Sequence, residues 1–331
     1  MRVLSDKDYR LFEKLVSLRE KEMVKAMAQY MRAKYDNVII TKDYIIAIGD
    51  IPIALVAHMD TVFQLPVSDL YYDQRKGVLW SPQGLGADDR AGIFAILKIL
   101  QDGYRPSVIL TTGEEKGGVG ACAIVDKYPD CPIPNLKYMI QLDRHGTNDC
   151  VFYDCYCPEF VNYVESFGFC ERWGSFTDIS FLMPEWQIVG VNLSVGYEDE
   201  HSHQEILNIN PLFDTIRKVK NMLSETEIPD FVYDELVAPG TSMWWKKTGE
   251  WFGQHCSKCK KLHSEYELFP VLGLDGKTKF YCPDCIVGNV EWCELCGEPF
   301  EIKEHNGKKL CKECEEELCT TSSKSNPNLK K

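Results

Sequence analysis

The chain has 331 residues, 44% of them hydrophobic, and carries 37 lysines and arginines against 50 acidic residues, for a net charge of -13. That length supports one sizeable domain plus a small one, and the apolar content excludes wholesale disorder. The acidity argues against broad electrostatic binding to DNA, RNA or an anionic membrane, and no stretch is long and apolar enough to cross a bilayer.

In chain order, Ser5 can cap a long amphipathic helix with Leu11, Leu15 and Leu18 on one face. Three extended runs follow, NVII, YIIAIG and IPIALVAH, and then the helical pattern DRAGIFAILKIL. SVILTT reads as a strand, VGACAIVDKY as a helix and KYMIQL as a strand. WQIVGVNLSV reads as a buried strand, and PLFDTIRKVKNMLSE as a closing helix. This alternation predicts an α/β layer fold for residues 1–225. Residues 226–253 lose the periodicity and read as a linker that can pack through Trp244, Trp245 and Trp251. Residues 254–319 are cysteine-rich, and 320–331 form a polar tail expected to be disordered. Fifteen cysteines, and an N-terminal MRVLSDKDYRLFEKL without the apolar core of a signal peptide, point to a reducing, cytoplasmic setting.

The informative charges fall where apolar segments end. His58 and Asp60 close IALVAHMD, Asp88 and Asp89 open a helix in GLGADDRAG, and Glu114 and Glu115 follow VILTT. Asp143 closes YMIQLD, and His201 lies in VGYEDEHSHQE after the last buried strand. Open α/β sheets bind ligands beyond the carboxyl ends of their strands. Histidines and carboxylates gathered on one such rim are costly unless paired or bound to metal, and the mixed set suits zinc, with manganese or cobalt as alternatives. Asp89 is expected to cap or charge the first turn of its helix and Arg90 to form a local ion pair. His203 reads as a surface histidine, and the sequence leaves the role of His145 open.

The run AHMD, GADDRAG, TGEE, LD, TDISF and HSHQE resembles the co-catalytic dinuclear zinc peptidases: peptidase T, zinc aminopeptidases and their carboxypeptidase and deacylase relatives. The resemblance implies a three-layer α/β/α catalytic domain. It also implies that Asp88 bridges two metals about 3.5 Å apart. His58 and Asp143 would hold one metal, and Glu115 and His201 the other. Glu114 would be the general base, and Asp60 would orient His58. Asp178 and Glu205 fall at motif positions with supporting roles. About thirty residues separate Asp143 from FTDIS, too few for the lid or dimerisation domain inserted there in several relatives. The expectation is therefore an aminopeptidase or a di- or tripeptidase with two catalytic zincs. An N-acyl amino acid or other small-amide hydrolase is the alternative, and an inactive binding protein a third reading. For an extended backbone, alternation would point Glu114 and Glu115 in opposite directions, one to metal and one to the attacking water.

The tail holds four CxxC pairs: Cys256 and Cys259, Cys282 and Cys285, Cys293 and Cys296, Cys311 and Cys314. Their spacing fits two structural zinc sites of four cysteines each, in a zinc-ribbon-like module. The sequence admits either sequential or cross-braced pairing. Lysines in the tail are offset by glutamates, so a protein partner or a cover for the active site is expected here in preference to nucleic acid.

Overall fold

A computed structural model of the chain describes residues 3–153, 155, 157–234, 254–263, 268–273, 278–293 and 299–302. The chain divides into two compact units, Met1–Val237 and Ala238–Lys331. Trp244, Trp245, Trp251, Cys296, Cys311, Cys314 and the 320–331 tail lie outside the described residues.

Ser5 caps α1 (Asp6–Val16), its hydroxyl accepting the Asp8 amide at 3.2 Å. The expected long helix stops there, and α2 (Glu20–Arg32) begins after a break that places Leu18 outside both helices. The reason is tertiary. The Val16 carbonyl receives the Val67 amide at 3.1 Å, and the Leu18 carbonyl receives Arg90 Nη2 at 3.2 Å. Those acceptors are withdrawn from a continuing helical ladder.

The strands and helices that follow in the first unit are β1 (Asn37–Ile40), β2 (Tyr44–Ile48), β3 (Ile51–His58), β4 (Tyr71–Asp73), β5 (Val78–Trp80) and α3 (Ala87–Gln101). Next come β6 (Pro106–Thr111), α4 (Val119–Lys127), β7 (Tyr138–Arg144), β8 (Asp149–Val151), α5 (Pro158–Ser166) and β9 (Cys170–Glu171). The unit closes with α6 (Asp178–Trp186), β10 (Gly190–Ser194), β11 (Tyr197–Glu198), β12 (Ile206–Asn208) and α7 (Ile209–Leu223). Trp186 and Gln187, expected in a strand, instead end and cap α6.

Eight strands form the main sheet in the order β1-β2-β6-β3-β7-β10-β8-β9. Its centre, β6-β3-β7-β10, is parallel. From β3 the chain crosses to β6 on one side, then returns past β3 to β7 on the other. Right-handed crossovers therefore set α3 and α4 on opposite faces, giving the three-layer arrangement. The inner strands are mainly apolar, as parallel strands covered on both faces must be: Ile53 to Ala57 and Val108 to Leu110 are fully buried. Helix α3 is buried nearly all round, with α1 and α7 packed against it. The order reversal leaves a crevice at the carboxyl end of β3, where ligands of such sheets bind.

A second sheet, antiparallel and ordered β11-β12-β5-β4, has no clear signal in the sequence because each strand has only two or three residues. The loop between β11 and β12 carries His201.

The second unit contains the pair β13 (Gln254–His255) and β14 (Leu262–His263). It also contains β15 (Phe269–Leu272), β16 (Thr278–Tyr281), the short α8 (Pro283–Ile286), β17 (Val290–Trp292) and β18 (Pro299–Glu301). The last four strands form a sheet in the order β16-β15-β18-β17. Its cores are small: Cys256, Leu268 and Cys282 in one, Val271, Tyr281 and Val290 in the other.

Candidate metal centre

His58 is the last residue of β3, so the strand's burial takes its ring into the sheet's carboxyl rim with no exposed surface. Its Nε2 lies 3.0 Å from Asp88 Oδ1 and 3.6 Å from Asp143 Oδ1. The second oxygen of Asp88 lies 3.1 Å from His201 Nε2, which is also 3.0 Å from Glu115 Oε2. One carboxylate thus spans two imidazoles, with Asp143 on one side and Glu115 on the other. The five residues expected as ligands come together from five separate segments.

The backbone is shaped to allow this. Gly86, before α3, adopts a left-handed φ of 63°, and neither Asp88 nor Asp89 is helical although both stand in its first turn. The peptide between them is cis. Glu205 holds this turn from outside, one oxygen accepting the Gly86 amide at 2.5 Å and the other the Asp88 amide at 3.0 Å. Gly92 completes GADDRAG because a Cβ there would meet the Leu142 carbonyl at 2.2 Å. His201 and Asp199 also take left-handed backbone, at φ of 60° and 57°, an unusual conformation for residues other than glycine.

Glu114 and Glu115 lie in a single 3₁₀ turn, Glu114–Lys116, and not in the extended backbone the sequence suggested. Their side chains diverge because successive residues of such a turn are a third of a revolution apart. Asp60 fixes the turn, its oxygens accepting the amides of Glu114 at 3.2 Å and Glu115 at 3.3 Å. Asp60 Oδ1 is also 3.3 Å from His58 Nδ1, an ion-pair distance without the alignment of a hydrogen bond.

Asp143 has the densest support. Thr177 Oγ1 and Gln141 Nε2 donate to its Oδ2 at 2.8 and 3.1 Å, and the Tyr197 hydroxyl donates to its Oδ1 at 3.2 Å. Asn192 accepts its amide at 2.9 Å and donates to its carbonyl at 2.7 Å. The sequence reading missed all four supports. Gln141 and Asn192 carried a signal, being polar residues inside the apolar strands YMIQL and VGVNLSV, where an unpaired amide would be costly. Asp178 is fully buried beneath the site, with Thr111 Oγ1 donating to its Oδ2 at 2.6 Å.

Asp89 does cap its helix: Oδ1 accepts the Gly92 amide at 2.9 Å, and Oδ2 the His58 amide at 3.2 Å. Arg90 departs from expectation, since its guanidinium donates to the carbonyls of Met59 and Leu18 in place of a carboxylate partner. Buried carbonyls at a chain crossing need a multidentate donor, and a guanidinium supplies one. His145 Nδ1 pairs with Glu200 Oε1 at 2.6 Å, and His203 is exposed beside the Phe63 ring.

The electrostatics state the same geometry in protons. Burial works to lower the His58 pKa, but Asp143, Asp60 and Asp88 outweigh it and raise it well above the usual imidazole value. Hydrogen bonds to Asp88 and Glu115 raise His201 to about 11. Burial, reinforced by Asp88, pushes Asp143 up to about 7. Burial is also the largest cause at Glu114, pushing its pKa up to about 9 against the opposing effect of His58, with Asp143, Asp178 and Asp88 adding to the rise. His58 Nε2 faces two carboxylates, so either a proton or a metal cation must stand between them. Glu115 Oε1 is buried without a hydrogen-bond partner among the described residues. Ligand atoms of His58, Asp88 and Glu115 lie within 4.8 Å of one another, as do those of His58, Asp89 and Asp143. This donor set, nitrogen and carboxylate oxygen with an excess of negative charge, fits divalent metal.

In the second unit, thiols of Cys256, Cys259, Cys282 and Cys285 lie within 4.8 Å of one another, so the first CxxC pair meets the second. The Cys256 sulfur accepts the Cys282 amide at 3.4 Å. Burial opposes ionisation of Cys256, but amides of Cys282, Cys259 and Lys258 outweigh it and lower the pKa to about 6. Cys293 is buried, and its expected partners lie outside the described residues.

No family model and no curated protein matches the chain. Among solved structures, a tripeptidase from Staphylococcus aureus subsp. aureus Mu50 is similar, with 14% identity and a TM-score of 0.55, over 67% of this chain and 98% of that one. The aminopeptidase PepT from Bacillus cereus ATCC 10987 shares 15% identity with a TM-score of 0.52, over 67% and 98% of the two chains. A TET aminopeptidase from the marine sediment archaeon Thaumarchaeota archaeon SCGC AB-539-E09 shares 14% with a TM-score of 0.50, over 68% and 98%. The chain has the α/β fold of these tripeptidase and aminopeptidase structures.

Proposed function

We propose that the first unit is a metal-dependent hydrolase of peptide bonds, an aminopeptidase or a di- or tripeptidase with two zinc ions. The observation that carries this reading is Asp88, whose two oxygens meet His58 and His201 at 3.0 and 3.1 Å. His58 and Asp143 would hold one ion and Glu115 and His201 the other, with Asp88 shared. Bound there, two divalent ions supply Lewis-acid polarisation of the amide carbonyl and of water. Glu114, buried and without an ion pair among the described residues, has its pKa raised to about 9 in the metal-free protein. The charge of two bound divalent ions would lower it, and the ionised carboxylate would then accept the proton of the attacking water and return it to the departing amine. Asp60 holds the His58 ring and the amides of the glutamate turn, which fixes base and ligand relative to each other. The fold shared with tripeptidases and aminopeptidases supports the substrate class.

The domain limits proposed with this reading are residues 1–225 for the catalytic domain, 226–253 for a linker and 254–319 for a zinc-binding module in a cytoplasmic protein. Cys256, Cys259, Cys282 and Cys285 would hold one structural zinc, and Cys293, Cys296, Cys311 and Cys314 another.

The test is metal analysis joined to a substrate panel. About four zincs per chain are expected, falling to about two in Asp88→Ala. Free-amino peptides are expected to be cleaved, and Glu114→Gln to abolish turnover while the metal is retained. Cleavage of acyl amino acids alone would assign a small-amide hydrolase. Unchanged turnover in Glu114→Gln would remove the base from its role.

A further inference from the structure

A cleft of about 780 Å³ opens in the first unit beside Glu115, within the range of small-ligand sites. It is built from three chemically different parts. Its lining includes Glu115 and Gly86, which belong to the candidate metal centre. One wall is the segment Thr61–Val67, which runs on directly from Asp60 and shows apolar side chains, Val62 40% and Leu65 72% exposed. The remaining side is the junction of α1 and α2, whose exposed side chains include Arg19, Lys21 and Lys25.

The lining of this cleft carries five cations, Arg19, Lys21, Lys25, Arg90 and Lys116, against three carboxylates, Glu20, Glu22 and Glu115. Glu115 is engaged by His201, Glu20 lies 3.7 Å from Lys116, and Glu22 accepts the Arg19 amide at 3.0 Å. Arg90 donates to two main-chain carbonyls. Arg19, Lys21 and Lys25 have no carboxylate at ion-pair distance among the described residues. A chain with a net charge of -13 thus gathers an excess of cations in the lining of a cleft that also contains a candidate metal ligand. An electropositive rim in an acidic protein selects ligands by sign and concentrates them locally.

We propose that this cleft is the substrate subsite and that its cationic side binds a carboxylate, so that the substrates are short peptides bearing an acid group at the end remote from the cleaved bond. The proposal rests on the peptidase reading for the chemistry, but the recognition has its own measurement. An apolar body would lie along Thr61–Val67, and its acid group would meet Arg19, Lys21 and Lys25. Two sources supply the same chemistry, a C-terminal carboxylate and an acidic side chain.

The test uses the full chain carrying Glu114→Gln and calorimetric binding, alongside turnover by the wild type. The ligands are trialanine, trialanine amide, and two tripeptide amides that end in glutamate or glutamine. Roughly fivefold tighter binding of the carboxylate-bearing member of either pair is expected at low salt, shrinking as salt screens it. Preference within the first pair assigns the C-terminal carboxylate, and preference within the second assigns a side chain. Adding Arg19→Gln, Lys21→Gln and Lys25→Gln is expected to erase the preference, and melting curves check that these exposed changes leave the fold intact. No preference in either pair, or a preference that survives the triple change, overturns the proposal. Turnover without carboxylate preference would sink the subsite and keep the peptidase. Selective binding without turnover would do the reverse.

Discussion

Asp60 stands 3.3 Å from His58, oxygen against Nδ1, while the same carboxylate receives the amides of Glu114 and Glu115. A single buried side chain thereby links a ligand from β3 to the turn after β6. Burial tends to raise its pKa, but the His58 ring together with backbone amides, that of Glu114 among them, outweighs burial and lowers it, so Asp60 stays ionised. Asp60→Ala is expected to weaken zinc binding about 10- to 100-fold, the usual effect of losing a carboxylate behind a metal-bound imidazole. Competition against a chelator of known affinity measures it. Unchanged affinity would mean that the ring is held by packing alone.

Glu205 acts on the opposite side of the centre, through main chain only. Its buried carboxylate accepts the Gly86 and Asp88 amides, and burial carries its pKa to about 7. Glu205→Ala leaves two buried donors without an acceptor, so a loss of about 3 kcal/mol is expected. Urea unfolding of the metal-free protein reads this without interference from ligand binding.

The sequence was most legible where segments are long and their pattern is regular. The cores of β3, β6 and β7 and the body of α3 follow directly from apolar runs, and the polar residues closing those runs meet at one rim. It was least legible where short elements owe their existence to distant partners. Strands of two or three residues such as β11 and β12 have too little pattern to read, although their loop positions His201. The break after Val16 depends on Val67 and Arg90, far away in sequence. The supports of Asp143 were visible only as misplaced polarity at Gln141 and Asn192. Their partners were not, because hydrogen-bond pairing across strands leaves no local mark.

Gly92 tests how closely α3 must approach β7. A methyl group there would stand 2.2 Å from the Leu142 carbonyl and 2.4 Å from Asp89 Oδ1. In an exposed helix, alanine in place of glycine would stabilise by about 0.5 to 1 kcal/mol. Here overpacking wins, and Gly92→Ala is expected to destabilise by about 2 kcal/mol. It should also lower metal affinity, since the displaced Asp89 holds the His58 amide. Thermal unfolding and chelator competition give the two readings.

Proton release on zinc uptake tests the electrostatics of the whole centre. Without metal, hydrogen bonds to Asp88 and Glu115 raise His201 to about 11. The stability this contributes is fully present below the ordinary imidazole value and is lost as pH rises through about 11. Asp88, Asp60 and above all Asp143 likewise keep His58 protonated at neutral pH, against the effect of burial. Both imidazoles must lose their protons to bind metal, so zinc affinity is expected to rise with pH. Asp143, with a pKa near 7 set mainly by burial, adds a further proton below neutrality. More protons should therefore be released at pH 6 than at pH 8. Calorimetry in buffers of different ionisation enthalpy counts them, and subtracting the Asp88→Ala protein removes the contribution of the cysteine sites. A difference that carries no protons at either pH would place the metal somewhere other than between these histidines.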